Sequence, residues 1–178
     1  MGSCLSAPAK EENRAEEASS HKDTTTDIQH RRLEGIDPKS VSKVPFQNQC
    51  ILARIEEIYD GDTVKIILLA GDVPIRLGLR ILGIDTPEIK HGQDRLPQEH
   101  TAAIRVRDHL KSMFPNNIAQ IRIHDWDKYG GRVLGDLFLP SGENVSEILI
   151  QGGWARPYHG EKKKAWTLKE LTAKPFVL

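Results

Sequence analysis

Arg80, Asp85 and Glu88 stand close together in RILGIDTPE (80–88), where an apolar run opens on a cation and closes on two carboxylates. A buried charge is costly unless it is paired or holds a metal. The stretch is therefore either a solvated strand end or part of a site. A second acidic motif, DGDTV (60–64), precedes it by one expected hairpin. With a turn centred near Gly71, cross-strand partners have numbers summing to about 142, which sets Asp62 opposite Arg80 in a regular ladder. Asp85 then lies just beyond, on the chain leaving the sheet. As structure alone, Asp62 and Arg80 make a cross-strand ion pair worth a fraction of a kcal/mol, which leaves Asp85 and Glu88 unexplained. As chemistry, two carboxylates and a backbone carbonyl can hold a hard cation through oxygen. Glu88 can polarise a water, and the Arg80 guanidinium offers a fork to a phosphate. Metal, base and arginine are the parts that in-line displacement at phosphorus requires.

The elements that must position these residues follow from periodicity. CILARIEEIY (50–59) alternates apolar and polar residues like a strand, and TVKIILL (63–69) reads as a second. VPIRLGLRILGI (73–84) is a long third strand with Gly78 and Gly83 as bends. Residues 98–114 predict a helix with Ala103, Val106, Leu110 and Met113 on one face. NIAQIRIHDW (117–126) and RVLGDLFL (132–139) form another strand pair joined by DKYGG. Asn144 with Glu147 reads as a capping box opening a helix that stops at Gly152-Gly153, and EKKKAWTLKELTAK as a last short helix. Five antiparallel strands interrupted by a helix suit a small closed barrel of the OB type, α+β but mainly β, with about three helices.

The bulk composition narrows the field. The 178 residues suffice for one domain with a core and a tail. Charges balance at 25 Lys+Arg against 25 Asp+Glu, so a nucleic-acid partner must be argued from a local site. Two cysteines, Cys4 and Cys50, make neither a disulfide framework nor a four-ligand zinc site, and Cys50 is expected to pack as a small apolar residue. The histidines show no zinc spacing. Residues 1–45, rich in Glu, Lys, Ser and Thr, read as a disordered tether, with the folded domain over 46–178. The tether opens on MGSCLS: Gly2 suits N-myristoylation and Cys4 palmitoylation, and the second chain is needed because one myristoyl group anchors only marginally. Such a protein would meet a membrane, the plasma membrane foremost, from the cytosolic face. Lys162-Lys163-Lys164 reads as a solvated face rather than a phosphate patch, and Trp154 as a cap on the core.

DGDTV (60–64), RILGIDTPE (80–88) and DKYGGR (127–132), in this order, resemble the staphylococcal nuclease family, as does NVSEILIQGGWARPY (144–158), over roughly residues 49–166. The resemblance implies an OB-fold barrel with three helices that hydrolyses phosphodiester bonds in DNA and RNA with calcium. It implies Asp62 and Asp85 as metal carboxylates, Thr86 as a carbonyl ligand and Asp60 as a ligand through water. Glu88 would be the general base or orient the attacking water, and Arg80 and Arg132 would bind phosphate and stabilise charge. Lys128 and Tyr129 would lie near the terminal phosphate, and Tyr158 near the stacking tyrosines. DKYGGR carries one glycine more than the family's DKYGR, so Arg132 or Lys128-Tyr129 is offset by one residue, which a glycine bulge could absorb. The C-terminus is short, leaving the third helix truncated or replaced.

Together with the MGSCLS terminus, the resemblance implies a calcium-dependent nuclease, monomeric and tethered to a membrane, cleaving P–O5′ bonds of DNA and RNA, single strands preferred, to leave 3′-phosphates. The alternative is a non-catalytic OB-fold nucleic-acid-binding or membrane-scaffold module. It is disfavoured by the presence of Asp62, Arg80, Asp85, Glu88 and Arg132 together.

Overall fold

The computed structural model describes residues 24–90, 95–128 and 130–177. The chain divides into two compact units between Val41 and Ser42. In the first, helix α1 (Thr25–Glu34) is opened by a capping box: the Thr24 hydroxyl accepts from the Asp27 amide at 3.2 Å, and the Asp27 carboxylate accepts from the Thr24 amide at 3.0 Å. No residue of α1 is buried, so it contributes no core. The tether reading assigns no helix here. Its Thr24–Asp27 signal is local and carries no apolar face. Gly2 and Cys4 lie outside the described residues.

The second unit is built on β1 (Cys50–Ile58), β2 (Thr63–Ala70), β3 (Val73–Ile81), β5 (Ile118–Trp126) and β6 (Arg132–Phe138), closed in the order β1-β2-β3-β6-β5. This is the OB-type α+β barrel expected, with one correction. β3 and β6 run parallel, so the barrel is mixed rather than wholly antiparallel. The alternation that marks each strand sets its inward face: Val133, Gly135 and Leu137 are buried in β6, and Val64, Ile66 and Leu68 in β2. Each fully buried Ile or Leu contributes about 1.5–3 kcal/mol, so this apolar interior is the main stabilising term.

Four further elements complete the unit. The two-residue strands β4 (Ile84–Asp85) and β7 (Arg156–Pro157) pair with each other. Helix α2 (Pro97–Ser112) begins at a proline pre-set for a first turn and buries Glu99, Ala102, Ala103, Val106 and Leu110. Helix α3 (Val145–Gln151) is capped by Asn144, whose side chain accepts from the Ser146 amide at 2.8 Å, a simple cap rather than the expected box with Glu147. The last helix, α4 (Leu168–Leu171), is a single turn. It closes a second apolar cluster of Ala102, Val106, Trp166, Leu171 and Phe176. Trp154 packs against both cores and stacks on His109 with ring centroids 4.3 Å apart, as a core cap should.

Three local expectations change. The β2–β3 ladder pairs Thr63 with Arg80 and Ala70 with Val73, one residue off the expected register, because the turn is the two residues Gly71-Asp72 rather than being centred on Gly71. Cys50 is exposed at the start of β1, where the Arg122 guanidinium donates to its sulfur at 3.5 Å. Gly78 lies within the ladder and does not bend it, whereas Gly83, at φ +81, does turn the chain between β3 and β4.

The DGD turn between β1 and β2 requires its glycine. A Cβ at Gly61 would run into Val106 Cγ1 and stand 2.8 Å from Thr86 Cγ2, so the turn approaches both α2 and the Thr86 segment closely. Gly61→Ala is expected to destabilise the protein by about 1–3 kcal/mol, the usual cost of overpacking, measured as a lower urea midpoint. An unchanged midpoint would show that α2 and Thr86 can move aside.

Candidate active site

The DGD turn and the β3–β4 connection meet at one end of the barrel. Asp60, Asp62, Asp85 and Thr86 are all buried there, at 6%, 4%, 4% and 1% exposure. Hairpin geometry accounts for the first contact: Ile81 donates its amide to the Asp62 carbonyl at 2.8 Å, and the Arg80 guanidinium pairs with the Asp62 carboxylate. Asp62 also accepts from the Thr63 hydroxyl at 2.9 Å. Arg80 reaches the Ile84 carbonyl at 3.4 Å, tying β3 to the start of β4. The side chains that the sequence places opposite one another do meet, despite the one-residue shift.

Arg132 arrives from the parallel neighbour of β3, where it pairs with Gly78. The two glycines of DKYGGR lie in the turn that leads into β6. Gly130 and Gly131 both have left-handed φ, +72 and +75, which other residues adopt only with strain, and the Asp127 amide still bonds the Arg132 carbonyl at 2.9 Å. Arg132 donates through Nε and Nη2 to the Asp127 carboxylate, at 3.0 and 2.5 Å, and lies 3.5 Å from the Thr63 hydroxyl.

Asp60, Asp62, Arg80, Asp127 and Arg132 border a cleft of 1170 Å³ together with Tyr59, Glu88, Trp126, Lys128, Tyr158, His159 and Lys163. Of the residues predicted for the site, Asp60, Asp62, Arg80, Glu88, Lys128, Arg132 and Tyr158 line it. Asp85 and Thr86 lie buried without bordering it, and Tyr129 is outside the described residues. Burial, with Glu88 adding repulsion, raises the Asp60 carboxyl to about 6, against the opposing pull of Arg80. Burial likewise pulls the Arg80 guanidinium below its ordinary value, opposed by Asp60 and Glu88.

Four residues that sequence reasoning did not assign to the site belong to it. Arg156 and Lys163 pair with the two oxygens of Asp85, at 2.6 and 2.9 Å, and Lys163 also pairs with Glu88 at 2.7 Å. Lys163 is therefore not simply part of a solvated lysine run. Glu99 accepts from the Glu88 amide at 3.3 Å, and Asp127 anchors Arg132. Glu99 had a readable signal: it is a carboxylate on the apolar face of α2, in line with Ala102, Ala103 and Val106. Lys163 had none, because nothing in EKKKAW distinguishes the middle lysine from its neighbours.

Oxygen donors of this kind fit a hard cation: Asp60, Asp62 and Asp85 are carboxylates buried at one end of the barrel. Among the described residues no three His, Cys, Asp or Glu side chains converge as a ready-made cage. Basic side chains stand between the acids instead.

The family model described as staphylococcal nuclease homologue matches residues 78–174, more than half of the chain. An uncharacterized endonuclease of Escherichia coli is 28% identical over 108 residues, 61% of this chain and 61% of that protein. Its counterpart in Escherichia coli O157:H7 aligns equally. The chain thus spans about 61% of the length of the curated relatives it matches.

The Asp60 shift makes a stability prediction. Its folded-state carboxyl binds a proton more tightly than the ordinary value of 3.8, so between that value and about 6 the folded state holds more protons than the unfolded. Stability therefore falls as pH rises through this window. Asp60→Asn removes the loss, and its stability relative to wild type should rise by about 1–3 kcal/mol between roughly pH 4 and 7. Urea unfolding at both pH values checks this, and a pH-independent difference would refute it.

Proposed function

The chain belongs to the staphylococcal nuclease homologue family, and from that premise we propose that it is a calcium-dependent nuclease hydrolysing phosphodiester bonds of DNA and RNA. The observation that carries the reading is the meeting of Asp62, Arg80, Glu88 and Arg132 around one cleft, with Asp85 buried behind it. When bound, a hard cation held by Asp62, Asp85 and the Thr86 carbonyl, and by Asp60 through water, would supply electrophilic stabilisation at a phosphoryl oxygen.

The chain's own residues supply the rest. Glu88, at the cleft wall, takes or steers the proton of the attacking water. Arg80 and Arg132 are held with their guanidiniums towards the same space, where charge builds on the phosphoryl oxygens during in-line attack. The P–O5′ bond breaks and a 3′-phosphate is left. Lys128, Tyr129 and Tyr158 are assigned to the bound strand. A splayed single strand suits an open cleft with tyrosines at its edge, because its bases are free to stack.

A binding module without catalysis is favoured by a different observation: Asp62, Asp85 and Arg132 each already carry a partner of opposite charge within the chain. Cleavage of single-stranded DNA with calcium against EDTA separates the two readings. Calcium-dependent cleavage is expected, reduced about 10²-fold or more in Glu88→Ala, the usual scale for a lost acid–base group. DNA binding without cleavage in millimolar calcium would establish the module.

Membrane tethering remains part of the proposal, on the strength of MGSCLS. Among the described residues no helix is long and apolar enough to cross a membrane. In eukaryotic cells Gly2→Ala and Cys4→Ser are each expected to move the protein from the membrane to the soluble fraction. Membrane retention of the double variant would remove the tether from the proposal.

A further inference from the structure

Asp85 and Glu88 matter most to a metal-dependent reaction, and one ammonium bridges them. Lys163 Nζ lies 2.9 Å from Asp85 Oδ1 and 2.7 Å from Glu88 Oε1. The other Asp85 oxygen is taken by Arg156 at 2.6 Å. Lys163 borders the cleft and Asp85 does not, so the lysine stands between cleft water and the buried carboxylate.

The two basic partners of Asp85 are held very differently. Arg156 lies 3.9 Å over the Trp166 ring, donates to the Lys164 carbonyl at 2.8 Å and pairs with Glu170 at 3.6 Å. It is locked. Lys163 sits on a four-carbon stem, its side chain 39% exposed, in the irregular stretch 158–167 between β7 and α4. It pairs with Asp85 and Glu88, and it can leave without disturbing a helix or strand.

We propose that Lys163 is an internal counterion of Asp85 and Glu88, and that a divalent metal taken up by Asp62, Asp85 and the Thr86 carbonyl expels it from Asp85 on binding. The inference rests on the metal-dependent reading above. A single positive charge keeps the two carboxylates from repelling one another in the free protein, and a double charge replaces it with better compensation. Breaking both ion pairs sets the metal affinity below that of the bare acids. Once expelled, the ammonium remains at the cleft wall, 6.0 Å from the Tyr158 ring centroid before it moves, where a phosphodiester backbone would meet it. Metal and nucleic acid then favour the same position of Lys163, so each tightens the other's binding.

Calcium titration calorimetry on the full chain tests this, with Lys163→Met, Lys164→Met as a control for net charge, and Asp85→Asn. Lys163→Met is expected to bind calcium about tenfold tighter than wild type, and Lys164→Met within about twofold of it. Asp85→Asn should lose binding. Wild-type binding with an unchanged or weaker Lys163→Met affinity would overturn the counterion and leave the metal reading standing. No binding by wild type or by Lys163→Met would overturn both. A second readout needs no variant: calcium should speed trypsin cleavage of wild type after Lys162, Lys163 or Lys164, because the expelled segment is less held. Slower or unchanged cleavage in a calcium-binding protein would count against expulsion.

Discussion

Three buried carboxylates, Asp60, Asp62 and Asp85, must be compensated at one end of a small barrel, and the local structure there follows from how this is done. Asp62 has Arg80 from the adjoining strand, and Asp85 has Arg156 and Lys163 from the C-terminal segment. Asp60 has the least direct help and is the acid whose proton affinity rises. Removing one partner of a buried pair leaves a bare charge in a poorly polarisable site, which costs more than the pair gained. The network therefore constrains which side chains can stand at this end far more than its net contribution to stability would suggest.

That constraint explains how the chain manages with so short a C-terminal helix. α4 is one turn, too short to pack as an independent layer. Its neighbourhood is held instead by Arg156, which joins Asp85, the Trp166 ring and Glu170, and by Trp166 and Phe176 packing edge to face. The acid that would ligate a metal is thus also the anchor of the C-terminal segment. Site and fold share one residue, and Arg156 links Asp85 directly to the packing around Trp166.

Much of this was legible in the sequence because it depends on local signals. Strand alternation gave β1, β2, β5 and β6 within a residue, ran β3 three residues too far through the Gly83 turn into β4, and the apolar face gave α2. The DGD and RILGIDTPE motifs gave the site acids because a hairpin brings them together whether the register is exact or one residue off. What was not legible depends on contacts between distant segments. The parallel pairing of β3 with β6 leaves no mark in either strand, since both read as alternating. Lys163 reaches Asp85 and Glu88 across more than seventy residues of sequence, from the middle of a run in which every lysine looks alike. Cys50 read as buried from its type, yet the barrel begins at that residue and leaves it exposed.

The difference between lysine and arginine decides what kind of site this is. An arginine stacked on a ring and forked between two acids gives up little entropy per bond and is costly to move. Arg156 has that character, and with it Asp85 stays neutralised on one side whatever happens in the cleft. A lysine is a compact charge on a flexible stem, strongly hydrated and readily returned to water. Placed on the cleft side of the same carboxylate, Lys163 compensates the acid without committing it. Two fixed arginines on Asp85 would describe a structural ion pair. One fixed and one releasable cation describe an acid that can exchange one partner without being left bare, which is the arrangement the proposed metal-dependent reaction would call for.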